Sequence, residues 1–113
     1  MTLWIVVGAV GAALGYFVVQ RAQDLSGADA RRLVENGALL VDVRTADEFA
    51  AGHLPGAVNL PVGDLQSRVD ELAPKERPVV VYCRSGMRSG RAARILTDSG
   101  YVAVHNLGPM SRW

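Results

Sequence analysis

The chain has one cysteine, Cys83, and two histidines, His53 and His105, among its 113 residues. A single cysteine excludes an internal disulfide and suits a reducing compartment, without excluding the periplasm. No Cys and His cluster has metal-ligand spacing, and no glycine-rich nucleotide loop is present, so neither a metal nor another cofactor is implied. Lys and Arg number 12 against 11 Asp and Glu, a net charge of +1. That balance provides no basic patch for nucleic acid.

Charge is also absent from one end: every Asp, Glu, Lys and Arg lies after position 20. Leu3 to Val19 is an apolar run of 17 residues. At about 1.5 Å per residue it comes near the lower limit for spanning a bilayer, and Thr2 and Gln20 can extend it. Trp4, Tyr16 and Phe17 sit near its ends, as interfacial aromatics do. Residues 1–21 are therefore read as a single-pass transmembrane helix held in membrane lipid. A cleaved secretory signal is the main alternative, but a basic leading region and a small-x-small cleavage site are both missing. Arg21, Arg31 and Arg32 follow the helix and none precedes it, which places the next domain in the cytoplasm, with the periplasm as the alternative. Gly11 and Gly15, with Gly8 and Ala12, form small-xxx-small spacings that make the helix a candidate for homodimer formation.

Residues 22–113 read as one small soluble domain with strands and helices alternating. Ser26 caps a helix running to about Asn36, with Leu33 and Val34 inward and Gly37 as its stop. Leu39 to Val43 is an apolar strand. Thr45 and Glu48 form a capping box for a short helix that Gly52 ends. Leu54-Pro55-Gly56 is a turn before a short strand, Ala57 to Leu60. Leu65, Val69 and Leu72 mark another helix, and Val102 to Val104 is the last strand. The fold class is an α/β sandwich with a mainly parallel sheet, preceded by the one transmembrane helix.

The chemistry concentrates in Val79-Val80-Val81-Tyr82-Cys83-Arg84-Ser85-Gly86-Met87-Arg88-Ser89. Three β-branched residues and a tyrosine form a strand covered on both faces. Ser89 to Ser99 is an amphipathic helix with Ala92, Ala93 and Leu96 on one side, ended by Gly100. Between them lies a loop at a helix N-terminus, where free N–H groups and the helix dipole favour an anion. Arg84 and Arg88 nearby would favour the Cys83 thiolate, the nucleophilic form. Gly86 allows positive φ, and Ser85 and Ser89 offer hydroxyl donors. Asp42 and Arg44 end another strand at the same edge of the sheet. They either line this pocket or brace the fold, and the bracing role is preferred. His53 reads as part of a turn and His105 as a core or edge residue.

These motifs resemble the rhodanese family, sulfurtransferases that carry sulfur as a cysteine persulfide. The resemblance runs from about Leu25 to Trp113, through Val41-Asp42-Val43-Arg44, Gly52-His53-Leu54-Pro55-Gly56-Ala57-Val58-Asn59-Leu60-Pro61, the Cys83 loop, Gly100-Tyr101 and His105-Asn106-Leu107-Gly108. It implies a three-layer sandwich, with Cys83 as the sulfur-carrying nucleophile and Arg84, Ser85, Gly86, Met87, Arg88 and Ser89 as its substrate cradle. The donor would be a small anion such as thiosulfate, and the acceptor cyanide, a small thiol or a protein cysteine. A membrane-tethered persulfide carrier and a non-catalytic binding module are the alternatives. A phosphatase or arsenate reductase is a lesser alternative: related folds with those activities have five residues between the cysteine and arginine, whereas Cys83 and Arg88 have four between them. The C-terminal stretch departs from the family: in place of a Gly-Gly pair and a Trp-containing helix it has Gly108-Pro109-Met110-Ser111-Arg112-Trp113, where Pro109 can start a helical turn.

Overall fold

A computed structural model describes residues 25–113 of the chain. The transmembrane reading of residues 1–21, with its aromatic ends and its Gly11 and Gly15 spacing, lies outside them. Among the described residues no helix is long and apolar enough to cross a membrane.

The described residues form a four-stranded, wholly parallel sheet in the order β2-β1-β3-β4. In chain order the elements are α1 (Gly27–Glu35), β1 (Leu39–Asp42), α2 (Ala46–Ala51), β2 (Val58–Asn59), α3 (Val62–Arg68), β3 (Val79–Cys83), α4 (Met87–Asp98) and β4 (Val104–Pro109). Short 3-10 turns follow α3 at Val69–Leu72 and β4 at Met110–Arg112.

Strand β3 sits between β1 and β4, and all five of its residues are buried. That burial explains its unbroken apolar sequence, because a central parallel strand has no wet face. Alternation along it feeds two cores. Val79, Val81 and Cys83 join Val41, Val43, Leu65, Leu72, Ala92 and Leu96 on the face covered by α3 and α4. Val80 and Tyr82 join Ala30, Leu40, Leu54 and Leu107 on the other face, where α1 and the side chains of Met110 and Trp113 pack. These are the three layers of the sandwich.

Local signals account for the helix ends. Ser26 Oγ accepts from Asp29 N at 3.1 Å at the start of α1. Thr45 and Glu48 make the full reciprocal capping box of α2. Gly100, at φ 95°, follows the end of α4.

Four boundaries differ from the sequence expectation. The helix expected from Ser89 begins two residues earlier, at Met87, because Gly86 takes up the left-handed turn at φ 100°. The helix expected through Leu65, Val69 and Leu72 tightens into a 3-10 turn after Arg68. The strand at 57–60 shortens to Val58–Asn59. The last strand is displaced: it covers Val104 to Pro109, while Val102 is 71% exposed. Its polar and glycine-containing sequence hid it, and such a sequence is tolerated because β4 is an edge strand. A register irregularity opposite Val81 and Tyr82 accommodates Gly108, at φ 81°, whose N–H donates to Asn106 Oδ1 at 2.8 Å.

Candidate active site

Cys83 is the last residue of β3, at the carboxyl end of the sheet, and has no exposed surface. Gly86 is the N-cap of α4 and supplies no side chain to satisfy the first N–H groups of the helix. The cysteine sulfur takes that place. Gly86 N donates to Sγ at 2.9 Å and Ser89 N donates to it at 3.4 Å. Ser89 is the third residue of the helix, and its N–H is the one a capping Ser or Asp side chain would receive. Ser89 Oγ lies 3.5 Å from Sγ and donates to Gly86 O at 3.1 Å. A hydroxyl has one proton, so rotation of that hydroxyl toward Sγ becomes favourable when the thiol ionises.

Burial pushes the Cys83 thiol up. Hydrogen bonds from the Ser89 hydroxyl, Ser89 N, Gly86 N and Ser85 N outweigh it, and the net shift is downward. The direction matches the expectation, but the chief cause is different. Donors aimed at the sulfur dominate, rather than the positive charge of Arg84 and Arg88.

Arg88 is engaged elsewhere. Its NH1 and NH2 groups bind Glu48 Oε1 and Oε2 at 2.6 and 3.0 Å in a two-pronged ion pair. The Arg88 guanidinium, together with Thr45 N, holds the Glu48 carboxyl down at about 2. Glu48 therefore serves two elements at once, as the cap of α2 and as the anchor of the Cys83 loop. The capping box made Glu48 legible only in its first role, since its partner is 40 residues away. Arg84 and Ser85 on the loop and Met87 at the start of α4 are exposed.

Asp42 and Arg44 form a separate network. Arg44 Nε lies 3.1 Å from both Asp42 carboxylate oxygens, and its NH2 lies 2.7 Å from Oδ2. Asp42 also accepts from Arg44 N at 2.9 Å and from Tyr82 OH at 2.8 Å. Leu54 N donates to Tyr82 OH, Arg44 NH2 donates to Gly52 O, and Asn59 Nδ2 donates to the carbonyls of Asp42 and Arg44. Burial, first of all, lifts the Tyr82 phenol to about 12, which keeps it a hydrogen-bond donor at neutral pH. Tyr82 and Asn59 escaped the sequence reading because each looks like an ordinary strand residue. His53 stacks on Phe49 with ring centroids 3.7 Å apart, away from the thiol network. His105 lies half-buried on β4, and its burial lowers its pKa.

A groove of about 570 Å³ opens beside the loop, bordered by Ser85 and Gly86 from the loop, Met87, Gly90 and Arg94 from α4, Asn106, Gly108 and Pro109 from β4, and Arg112 just beyond it. Cys83 does not line it, although Gly86 touches both the groove and the sulfur. Among the described residues no group of three or more His, Cys, Asp or Glu is arranged to hold a metal.

A buried thiol that receives several N–H groups at a helix N-terminus is set up to carry negative charge and act as a nucleophile. Comparison with known proteins adds chemical context. The rhodanese-like domain profile matches residues 26–113. A sulfurtransferase of Allochromatium vinosum is 47% identical over 76 residues, covering 66% of this chain and 70% of that protein. The thiosulfate sulfurtransferase PspE of Escherichia coli is 38% identical over 69 residues, covering 60% and 66% respectively. The chain thus spans about two thirds of the length of these curated relatives. The structure of the human single-domain sulfurtransferase TSTD1 superimposes with a TM-score of 0.69 at 29% identity, covering 79% of this chain and 89% of that one.

Proposed function

We propose that this chain, which belongs to the rhodanese-like family, is a sulfurtransferase working through a persulfide on Cys83. The single observation that carries the reading is the set of N–H donors from Gly86 and Ser89 converging on Sγ. In the first half-reaction the Cys83 thiolate attacks the outer sulfur of thiosulfate. The sulfur–sulfur bond of the donor breaks, sulfite leaves with the electron pair, and Cys83 holds a persulfide anion. The second half-reaction passes the outer sulfur to cyanide, a small thiol or a protein cysteine, returning the thiolate. Thiosulfate is proposed as donor from the name of the Escherichia coli relative and from the anion-favouring loop.

The donors that lower the thiol pKa also stabilise the charge on sulfur during transfer. Because Cys83 is fully buried, the structure around it must open for a donor to reach the sulfur. Arg84, exposed beside Cys83 in the chain, would attract thiosulfate, while Arg88 holds the loop to Glu48. The charge-free stretch Leu3–Val19 supports a membrane-anchored form, Arg21, Arg31 and Arg32 after it support the cytoplasmic side for the domain, and Gly11 and Gly15 support pairing of two such helices.

The test is intact-protein mass of the full chain after thiosulfate and then cyanide. The expected result is a gain of one sulfur atom that cyanide removes and that Cys83→Ser lacks. A wild-type chain that gains no sulfur overturns the thiosulfate reading. A sulfur that is gained and delivered once per chain, without repeated turnover of thiosulfate, favours a carrier over an enzyme.

A further inference from the structure

Resting on the sulfurtransferase reading, we infer that the groove beside the Cys83 loop binds the carboxylate end of the sulfur acceptor, a small thiol whose sulfur and carboxylate are separated by a short spacer. Arg94 and Arg112 both border the groove, no acidic side chain lines it, and neither arginine has a carboxylate partner among the described residues. Arg112 NH1 donates to Leu107 O at 3.1 Å, which steadies the guanidinium while leaving further N–H groups for a ligand.

A neutral donor completes the set. Asn106 is only 8% exposed and borders the groove. Its Oδ1 accepts from Gly108 N, which fixes the orientation of the amide and makes Nδ2 the free end. That nitrogen has no acceptor among the described residues. An amide donor on a nearly buried residue, left open toward a space flanked by two guanidiniums, is matched by a carboxylate, which has two oxygens and several lone pairs. Gly86, Gly90 and Gly108 form the nearby backbone, so no Cβ holds the ligand away. Met87, 83% exposed, offers a thioether at the rim for methylene groups.

The geometry also selects the acceptor over the donor. In thiosulfate the reacting sulfur is bonded directly to the anionic group, leaving no spacer between them. Cys83 does not line the groove, yet Gly86 borders it and lies 2.9 Å from Sγ through its N–H. An occupant anchored here must reach across the loop edge to the sulfur, as a carboxylated thiol can. In the transfer, the acceptor thiol loses its proton as its sulfur attacks the outer persulfide sulfur. The Cys83 sulfur–sulfur bond breaks, and Cys83 leaves as thiolate and recovers a proton. An acceptor thiol and a protein persulfide thus become an acceptor persulfide and a protein thiol.

Two measurements on the full chain test the inference. With thiosulfate-loaded protein, mercaptosuccinate should have a lower KM than 2-mercaptoethanol, and Arg94→Gln should reduce that preference about tenfold. Arg112→Lys, which keeps the charge but loses the planar fork, should reduce it less. Separately, succinate added to Cys83→Ser should shift the NMR signal of the Asn106 side-chain amide, and Arg94→Gln should abolish the shift. Transfer with neither the preference nor the succinate shift overturns the groove assignment alone. A succinate shift without any sulfur transfer upholds the groove as a carboxylate site and overturns the sulfurtransferase reading instead.

Discussion

The carboxyl ends of β1 and β3 lie side by side in the sheet, with Asp42 paired in register to Tyr82, yet they do opposite things with their polar groups. At the end of β1 the polar groups are spent on one another within the fold: Asp42 takes Arg44, Tyr82 and a backbone N–H, and Arg44 closes on Gly52 O. At the end of β3 several donors are spent on one sulfur atom, beside a loop that is exposed on either side of Gly86. A buried charge pair hydrogen-bonded to its neighbours on several sides is a brace. Donors concentrated on a single polarisable atom stabilise a charge that comes and goes, as the proposed transfer requires.

Breaking the brace should have the largest effect. Asp42→Ala leaves the Arg44 guanidinium buried without its partner and removes the acceptor of Tyr82 OH, so the domain should lose about 3–5 kcal/mol in urea unfolding. The fraction that remains folded should keep its reactive thiol. If stability is untouched while thiol reactivity collapses, the contrast between the two strand ends is wrong.

Gly86→Ala attacks the other end. Its φ of 100° costs an alanine about 1–2 kcal/mol, and relief of that strain turns the Gly86 N–H away from Sγ. The pH midpoint of iodoacetamide alkylation should climb toward the ordinary thiol value of about 8.5. An added Cβ would meet Pro109 Cδ at 3.6 Å, ordinary contact, so strain rather than a clash is being tested.

Ser89→Ala removes one donor and leaves the backbone in place. The thiol is lowered in the native fold, so its alkylation rate in the wild type should hold at higher pH and fall away as pH drops through that lowered pKa. In the variant the same fall should come at higher pH, by about one unit or less, since a single hydrogen bond is lost. An unmoved midpoint would return the thiolate preference to the arginine charges.

The smallest effect concerns Glu48. Its carboxyl is held at about 2 in the fold, against about 4.3 for a free side chain. Its stabilising pair with Arg88 is therefore complete above the free value and is lost as pH falls through that window toward 2. Glu48→Gln should flatten this part of the acid unfolding curve. A curve identical to wild type would show that Arg88 holds the loop without help from the Glu48 charge.

Which parts were legible depended on distance along the chain. The central strand, the positive φ of Gly86, the caps at Ser26 and Thr45, and the place of Cys83 between strand and helix all follow from neighbours within a few residues. The last strand did not, because an edge position permits His105, Asn106, Gly108 and Pro109 where a central one would forbid them. Arg88 looked like a free cation beside the thiol until Glu48, 40 residues earlier, arrived to hold it.

By itself the sequence determined that one thiol would end a buried parallel strand and meet a helix N-terminus through a glycine, because apolar runs, left-handed turns and helix starts are local properties. Only the tertiary structure decided which N–H groups point at the sulfur, which arginine is already paired, and that Arg94, Asn106 and Arg112 gather around one groove. Those outcomes depend on direction and on contacts between distant segments, and a linear pattern of residue types encodes neither until the sheet and its covering helices have been assembled.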